Sequence, residues 1–205
     1  SPAGGVAAVF AGGALQVIRG LPSEPLVVET VEAGGAGVFA VSDDGALLFE
    51  VGGTLYAVAP GGAPRPVPFA GQVSLIAFAE GTRDALVAGR GDNQVALLRD
   101  VTGTPDYRLL AGAGDGIDQP AGLALSGGRA LVASAGSGSI TVIDVENGAA
   151  ATAACNCAIT GLERMRGAAI YRVSDLGAGP LWLLDAGGGE PRFLFVPAPS
   201  EEVEP

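Results

Sequence analysis

Five times along this chain a β-rich run meets a glycine-rich turn and a second β-rich run follows at once. The segments are Val6 to Ile18 (VAAVFAGGALQVI), Ala46 to Val58 (ALLFEVGGTLYAV), Ala85 to Leu98 (ALVAGRGDNQVALL), Ala130 to Ile143 (ALVASAGSGSITVI) and Pro180 to Val196 (PLWLLDAGGGEPRFLFV). Each reads as a β-hairpin, because glycine supplies the positive φ that tight hairpin turns require. Matching positions Ala7, Leu47, Leu86, Leu131 and Leu181 lie 40, 39, 45 and 50 residues apart. Repeats of that length are built either as four-stranded blades or as helix pairs. Glycine every few residues, with no 3.6-residue periodicity, removes the helical alternative.

The expected fold is therefore all-β: a β-propeller of about five blade-like four-stranded antiparallel repeats, or part of a larger one. The repeats fall near 1–36, 37–72, 73–118, 119–162 and 163–198, followed by an acidic tail, 199–205. If each hairpin supplies the two middle strands, small apolar runs at 37–42, 73–79, 121–126 and 168–174 supply the inner strand. Runs at 26–31, 65–69, 107–111 and 152–158 supply the outer one, where Pro66 and Pro68 suit an edge. On this count the first blade lacks its inner strand and the last lacks its outer strand. Open edges invite pairing, so a protein partner or self-assembly through the blade edges is expected.

Chemistry is limited by what is missing. All 11 basic residues are arginine; the chain has no lysine and no histidine. Ser-His-Asp and Cys-His nucleophile pairs are excluded, as are imidazole metal ligands, Schiff-base lysines and the phosphate-binding loop that needs one. With 22 acidic residues the net charge is −11. That sign repels phosphate backbones and anionic lipid, so neither nucleic acid nor membrane binding is expected. No run approaches the roughly 18 apolar residues of a membrane span, and no charged-then-apolar leader opens the chain. No cofactor is called for.

Ala111 to Gly148 (AGAGDGIDQPAGLALSGGRALVASAGSGSITVIDVENG) resembles the NHL and YVTN-type propeller repeats. Gln119-Pro120, Gly122-Leu123-Ala124, Leu131-Val132-Ala133 and Ile140 to Asp144 carry the resemblance, which covers this one blade. The other repeats share only spacing and hairpin pattern. Cys155 to Ala198 is similar to the C-terminal part of secreted bacterial propeller proteins. The resemblance implies propeller architecture and a secreted, extracellular or cell-envelope location, and no particular activity.

Candidate site residues are few. Arg90, Asp92 and Asn93 sit at a turn between middle strands; Asp115, Asp118 and Arg166 are placed on the same face, where a ligand would bind. Ordinary polar turn residues are the plainer reading of all six. The loop at 112–119 lacks the oxygen ligands of an EF-hand, and no metal site is assigned. Cys155 and Cys157 stand two apart, about 6–7 Å in a regular strand, near or beyond disulfide reach. A disulfide closed by a bend, two thiols, and a redox or metal pair all stay open. Trp182, Phe193 and Phe195 read as packing between blades rather than a sugar platform.

The leading expectation is a non-enzymatic protein- or ligand-binding module. The alternatives are a structural subunit joined by strand complementation and, least favoured, a carboxylate-based carbohydrate-active enzyme.

Overall fold

The computed structural model describes residues 1–69, 71–89, 91–165, 169–176, 179–187 and 190–198. Among these residues, nineteen strands form five antiparallel sheets. The first holds β1 (Val6–Ala11), β2 (Ala14–Arg19) and β3 (Leu26–Glu32). The second runs β4 (Val38–Val41), β5 (Leu47–Val51), β6 (Thr54–Val58), β7 (Arg65–Val67). The third runs β8 (Leu75–Phe78), β9 (Ala85–Gly89), β10 (Gln94–Arg99), β11 (Asp106–Ala111). The fourth runs β12 (Pro120–Ser126), β13 (Arg129–Ser134), β14 (Ser139–Asp144), β15 (Ala150–Ala154). The fifth runs β16 (Glu163–Arg164), β17 (Ile170–Arg172), β18 (Leu181–Asp185), β19 (Arg192–Val196). The acidic tail lies outside the described residues.

Each sheet is a simple meander in sequence order. The connections between its first and second and its third and fourth strands therefore share one rim. The connections between second and third strands, and those between sheets, share the other.

Packing follows strand alternation, which sends successive side chains to opposite faces. One apolar cluster joins each consecutive pair of sheets. Between the second and third sheets it holds Leu48, Leu55, Ala57 and Val67 against Phe78, Val87 and Leu98. The other three join the first to the second, the third to the fourth and the fourth to the fifth. Among the described residues no such cluster joins the fifth sheet to the first.

Two strand assignments read from the sequence need correction. The fifth sheet does not lack its outer strand: it has four. Residues 168–174 were expected as its inner strand, but β17 is its second strand and β16 precedes it. The Thr160 N–H donates to Val173 O at 3.0 Å and the Met165 N–H to Ile170 O at 2.8 Å, which fixes that order. Leu181 consequently belongs to a third strand and is not equivalent to Leu131. The short inner strand carries Glu163 and Arg164, so it shows none of the small apolar pattern of its counterparts.

Among the described residues the first sheet has three strands, and the inner position is the one without a strand. The two-glycine turns Gly12-Gly13 and Gly52-Gly53 match, and Leu15, Val17 and Val31 face forward as Leu55, Ala57 and Val67 do in the second sheet. Thus β1, β2 and β3 correspond to β5, β6 and β7.

Candidate functional site

The expected ligand face is the rim carrying the turn between β9 and β10 and the crossing from β11 to β12. Asp92 and Asn93 lie in the first, Asp115 and Asp118 in the second. The structure uses them to tie backbone together. Asp92 Oδ2 accepts the Gln72 N–H at 3.3 Å. Asn93 Oδ1 accepts the Gln119 N–H at 2.8 Å and links the two loops. Asp115 Oδ2 accepts the Gly112 N–H at 2.9 Å, closing the short 3₁₀ turn at Ala113–Asp115. The Asp118 carboxylate packs over Gly136, where a Cβ would lie 2.3 Å from its Oδ2. The Asp92 and Asp115 carboxylates and the Asn93 amide act as turn staples. Arg90 and Arg166 lie outside the described residues.

Cys155 and Cys157 form a disulfide with Cα atoms 5.1 Å apart. β15 ends at Ala154, so the pair sits in a bend that brings the atoms closer than a strand would. Cys155 is buried with Ile159 and Tyr171 between the fourth and fifth sheets. Among the described residues no group of three or more Cys, Asp or Glu side chains is placed to hold a metal. Trp182 and Phe193 pack against the same cluster. Trp182 meets Phe195 edge to face at 5.0 Å, while Phe195 stays largely exposed.

The inner strands enclose a cavity of about 380 Å³ lined by Phe39, Ala77, Phe78, Leu123, Leu125 and Tyr171, with Ala7 and Ala8 of β1 on one side. Its walls are mostly apolar; Ser1 and Pro2 at the N-terminus close one side, and Arg164, which pairs with Glu80, brings a charge. The hydrogen bond that Arg164 donates to that glutamate outweighs partial burial, raises the arginine pKa and keeps the guanidinium protonated. Nearby, Asp43 accepts the Gly81 N–H at 2.9 Å and the Ala3 N–H at 2.8 Å. Burial pushes the Asp43 pKa up, but these bonds outweigh it and hold the group below its ordinary value. Sequence reasoning missed this rim, although Asp43-Asp44-Gly45 marks a turn beside the channel.

Two surfaces stand apart. On the fifth sheet Leu181, Leu183, Leu194 and Val196 lie on the face turned away from the fourth sheet, as their cross-strand pairing requires. On the first sheet Ala7, Val9, Ile18 and Val27 lie on the face turned away from the second. Leu194 and Val196 are 41% and 43% exposed and Val9 and Val27 are 44% and 47% exposed, whereas Leu48, Leu86 and Leu131 on inner blade faces are at most 1% exposed.

No family model matches the chain, and no curated protein matches it by sequence. Solved structures do. The β-propeller domain of Cps50 (Swd1) from Myceliophteria thermophila superposes with a TM-score of 0.67 at 14% identity, over 90% of this chain and 62% of that one. This chain has the β-propeller fold. A structure titled as the nidogen/laminin complex matches with a TM-score of 0.65 at 14% identity, over 89% of this chain and 74% of the other. The dihydro-heme d1 dehydrogenase NirN matches at 0.65 and 19% identity, over 97% of this chain and 46% of NirN. Against most of its structural neighbours this propeller spans about three-fifths of their length.

Proposed function

We propose that this propeller is a non-catalytic binding module for a protein partner, with NHL/YVTN-type repeats and an extracellular or cell-envelope location. The observation that carries the reading is the pair of apolar faces on the first and fifth sheets. Among the described residues the facing sides of consecutive blades are closed by apolar clusters, and exposed apolar surfaces mark interaction sites. The neighbours include a propeller in a structure of a protein complex, which supports the same direction. The Cys155–Cys157 disulfide favours an oxidising compartment, and a net charge of −11 disfavours nucleic acid.

The test is site-specific photocrosslinking in the source cells, with the reactive group at Leu194 and, separately, at Val27. A discrete adduct with another protein, lost when Leu183→Asp is added, is the expected result. Adducts only with itself, or none, would sink the proposal. Saturable turnover of a polysaccharide by the purified chain would replace it with the enzymatic reading.

A further inference from the structure

The Cys155–Cys157 disulfide closes a loop of three residues where the chain leaves β15 and crosses to β16. A cross-link stabilises a fold through the freedom it takes from the unfolded chain, and a loop this short takes little. Such coupling is reciprocal: a bond that adds little to the fold receives little from it. Breaking it therefore does not require the chain to unfold, and the folded propeller is itself the reacting species.

The crossing between the fourth and fifth sheets suits that chemistry. The Cys155 N–H donates to Gly138 O at 2.8 Å, and the residue packs with Ile140, Ile159 and Tyr171. Those contacts hold Cys155 in place whether the bond is closed or open. Regular hydrogen bonding resumes at Thr160, whose N–H donates to Val173 O at 3.0 Å. Between these two anchors, among the described residues, Asn156 to Ile159 make no hydrogen bond, so Cys157 is free to move once its sulfur is released. The two cysteines also differ in access. Cys155 is 8% exposed, whereas Cys157 is half-buried and lies between exposed Asn156 and Ala158. Which sulfur a thiolate attacks is decided largely by access, and that favours Cys157.

We propose that Cys155 and Cys157 form a thiol–disulfide exchange site of the folded propeller, reduced by a dithiol, with Cys157 entering the mixed disulfide and Cys155 resolving it. A thiolate of the dithiol attacks Cys157 Sγ. The Sγ–Sγ bond breaks, and its electron pair leaves on Cys155 Sγ, which takes a proton from water. The second thiolate of the dithiol then attacks the dithiol sulfur of the mixed disulfide and releases Cys157, which is protonated in turn. Two electrons have passed from the dithiol, now a disulfide, to the two cysteines. In the reverse direction Cys157 attacks a disulfide oxidant, and Cys155, held two residues away, displaces the adduct and closes the ring. The proposal uses no part of the protein-binding reading above.

The test follows reduction of the 205-residue chain by dithiothreitol without denaturant, with thiols trapped by N-ethylmaleimide and weighed by mass spectrometry. The rate should rise in proportion to dithiothreitol and change by less than about twofold as urea is raised to just below the unfolding transition, because no opening precedes attack. A rate that climbs with urea in step with unfolding, that levels off at high dithiothreitol, or that is zero would mark a bond reachable only by unfolding and would overturn the proposal. Oxidised glutathione given to the reduced chain should restore the internal bond. Accumulation of chain carrying glutathione on both cysteines would remove Cys155 as the resolving thiol and overturn the proposal. In Cys155→Ala the glutathione adduct on Cys157 should persist, and in Cys157→Ala the remaining Cys155 should react at least about tenfold more slowly, since buried thiols are poorly reactive. Equal rates in the two variants would overturn the assigned order of attack. The urea series and the reoxidation use the unaltered chain, so they decide even if a variant fails to fold.

Discussion

Arg83 reaches back from the third blade to Asp44 of the second, its Nε and Nη2 both 2.7 Å from Asp44 Oδ2. Its Nη1 donates to Thr102 Oγ1 at 2.8 Å, so one guanidinium braces three loops on the rim around the channel. Burial raises the Asp44 pKa, but hydrogen bonds from Ser42 and Arg83 more than offset it, and the group sits below its ordinary 3.8. A carboxylate with a depressed folded pKa stabilises the fold above its unfolded pKa, and that contribution is lost as pH falls through the folded value. Asp43 follows the same sign. The urea midpoint should be flat from about pH 7 to 5 and fall below about pH 4, with a shallower fall in Asp44→Asn. The Arg83 and Asp44 side chains are 41% and 44% exposed, so solvent screening keeps the effect modest. An equally steep fall in the variant would show that Asp44 contributes nothing.

Asn93 and Gln119 both adopt left-handed backbone, at φ 48° and 50°, and one hydrogen bond joins them. Asparagine tolerates that conformation better than most residues. Asn93→Ala removes the staple and strains the turn, and should cost about 1–2 kcal/mol in urea unfolding. Asn93→Gly should cost less, since it keeps only the loss of the bond. Equal stability of Asn93→Ala and the parent would show that the Asn93–Gln119 bond contributes nothing to the fold.

The blades were legible because their two-residue glycine turns and alternating strands are local signals. Gly12-Gly13 and Gly52-Gly53 announce the hairpins without any tertiary information. The fifth blade was misframed because its inner strand holds Glu163 and Arg164 in place of the large-Ala-large pattern. Those charges are paired: Arg164 with Glu80 of the distant third blade, and Glu163 with Arg172 on the neighbouring strand. Whether the aspartates placed on the ligand face meet a ligand is not legible for a related reason. Aspartate at a turn looks the same in sequence whether it awaits a ligand or accepts a backbone N–H.

Gly122 shows how closely the fourth and fifth blades approach. A Cβ there would lie 2.4 Å from Leu162 N and 2.7 Å from Gly161 C, and backbone cannot yield as a side-chain tip can. Gly122→Ala should destabilise by about 1–3 kcal/mol, the cost of overpacking. Amide exchange should rise first around Thr160–Leu162. A variant of unchanged stability would mean that the two blades separate at no cost.

The disulfide closes a very small loop, so it removes little freedom from the unfolded chain. The chain-entropy relation gives about 1.5 kcal/mol for a three-residue loop. Reduction, or the double change Cys155→Ala with Cys157→Ala, should lower Tm by about 3–6 °C in a domain this size. The fold itself should survive, because the Cys155 N–H still donates to Gly138 O at 2.8 Å. Collapse of the near-UV spectrum on reduction would show that the fifth blade depends on the bond.

Large-small pairing across the inner edge of each blade can be tested by exchanging its members. Leu131 is 1% exposed and lies opposite Ala124. Leu131→Ala alone should cost about 2–5 kcal/mol, because the cavity it leaves cannot collapse between rigid strands. Ala124→Leu alone should cost about 1–3 kcal/mol by crowding. Contact partners of this kind are not additive: the double exchange restores the summed volume, so it should be more stable than Leu131→Ala. Urea unfolding of the four proteins gives the coupling directly. Strict additivity would show that the pair is not a shared packing unit.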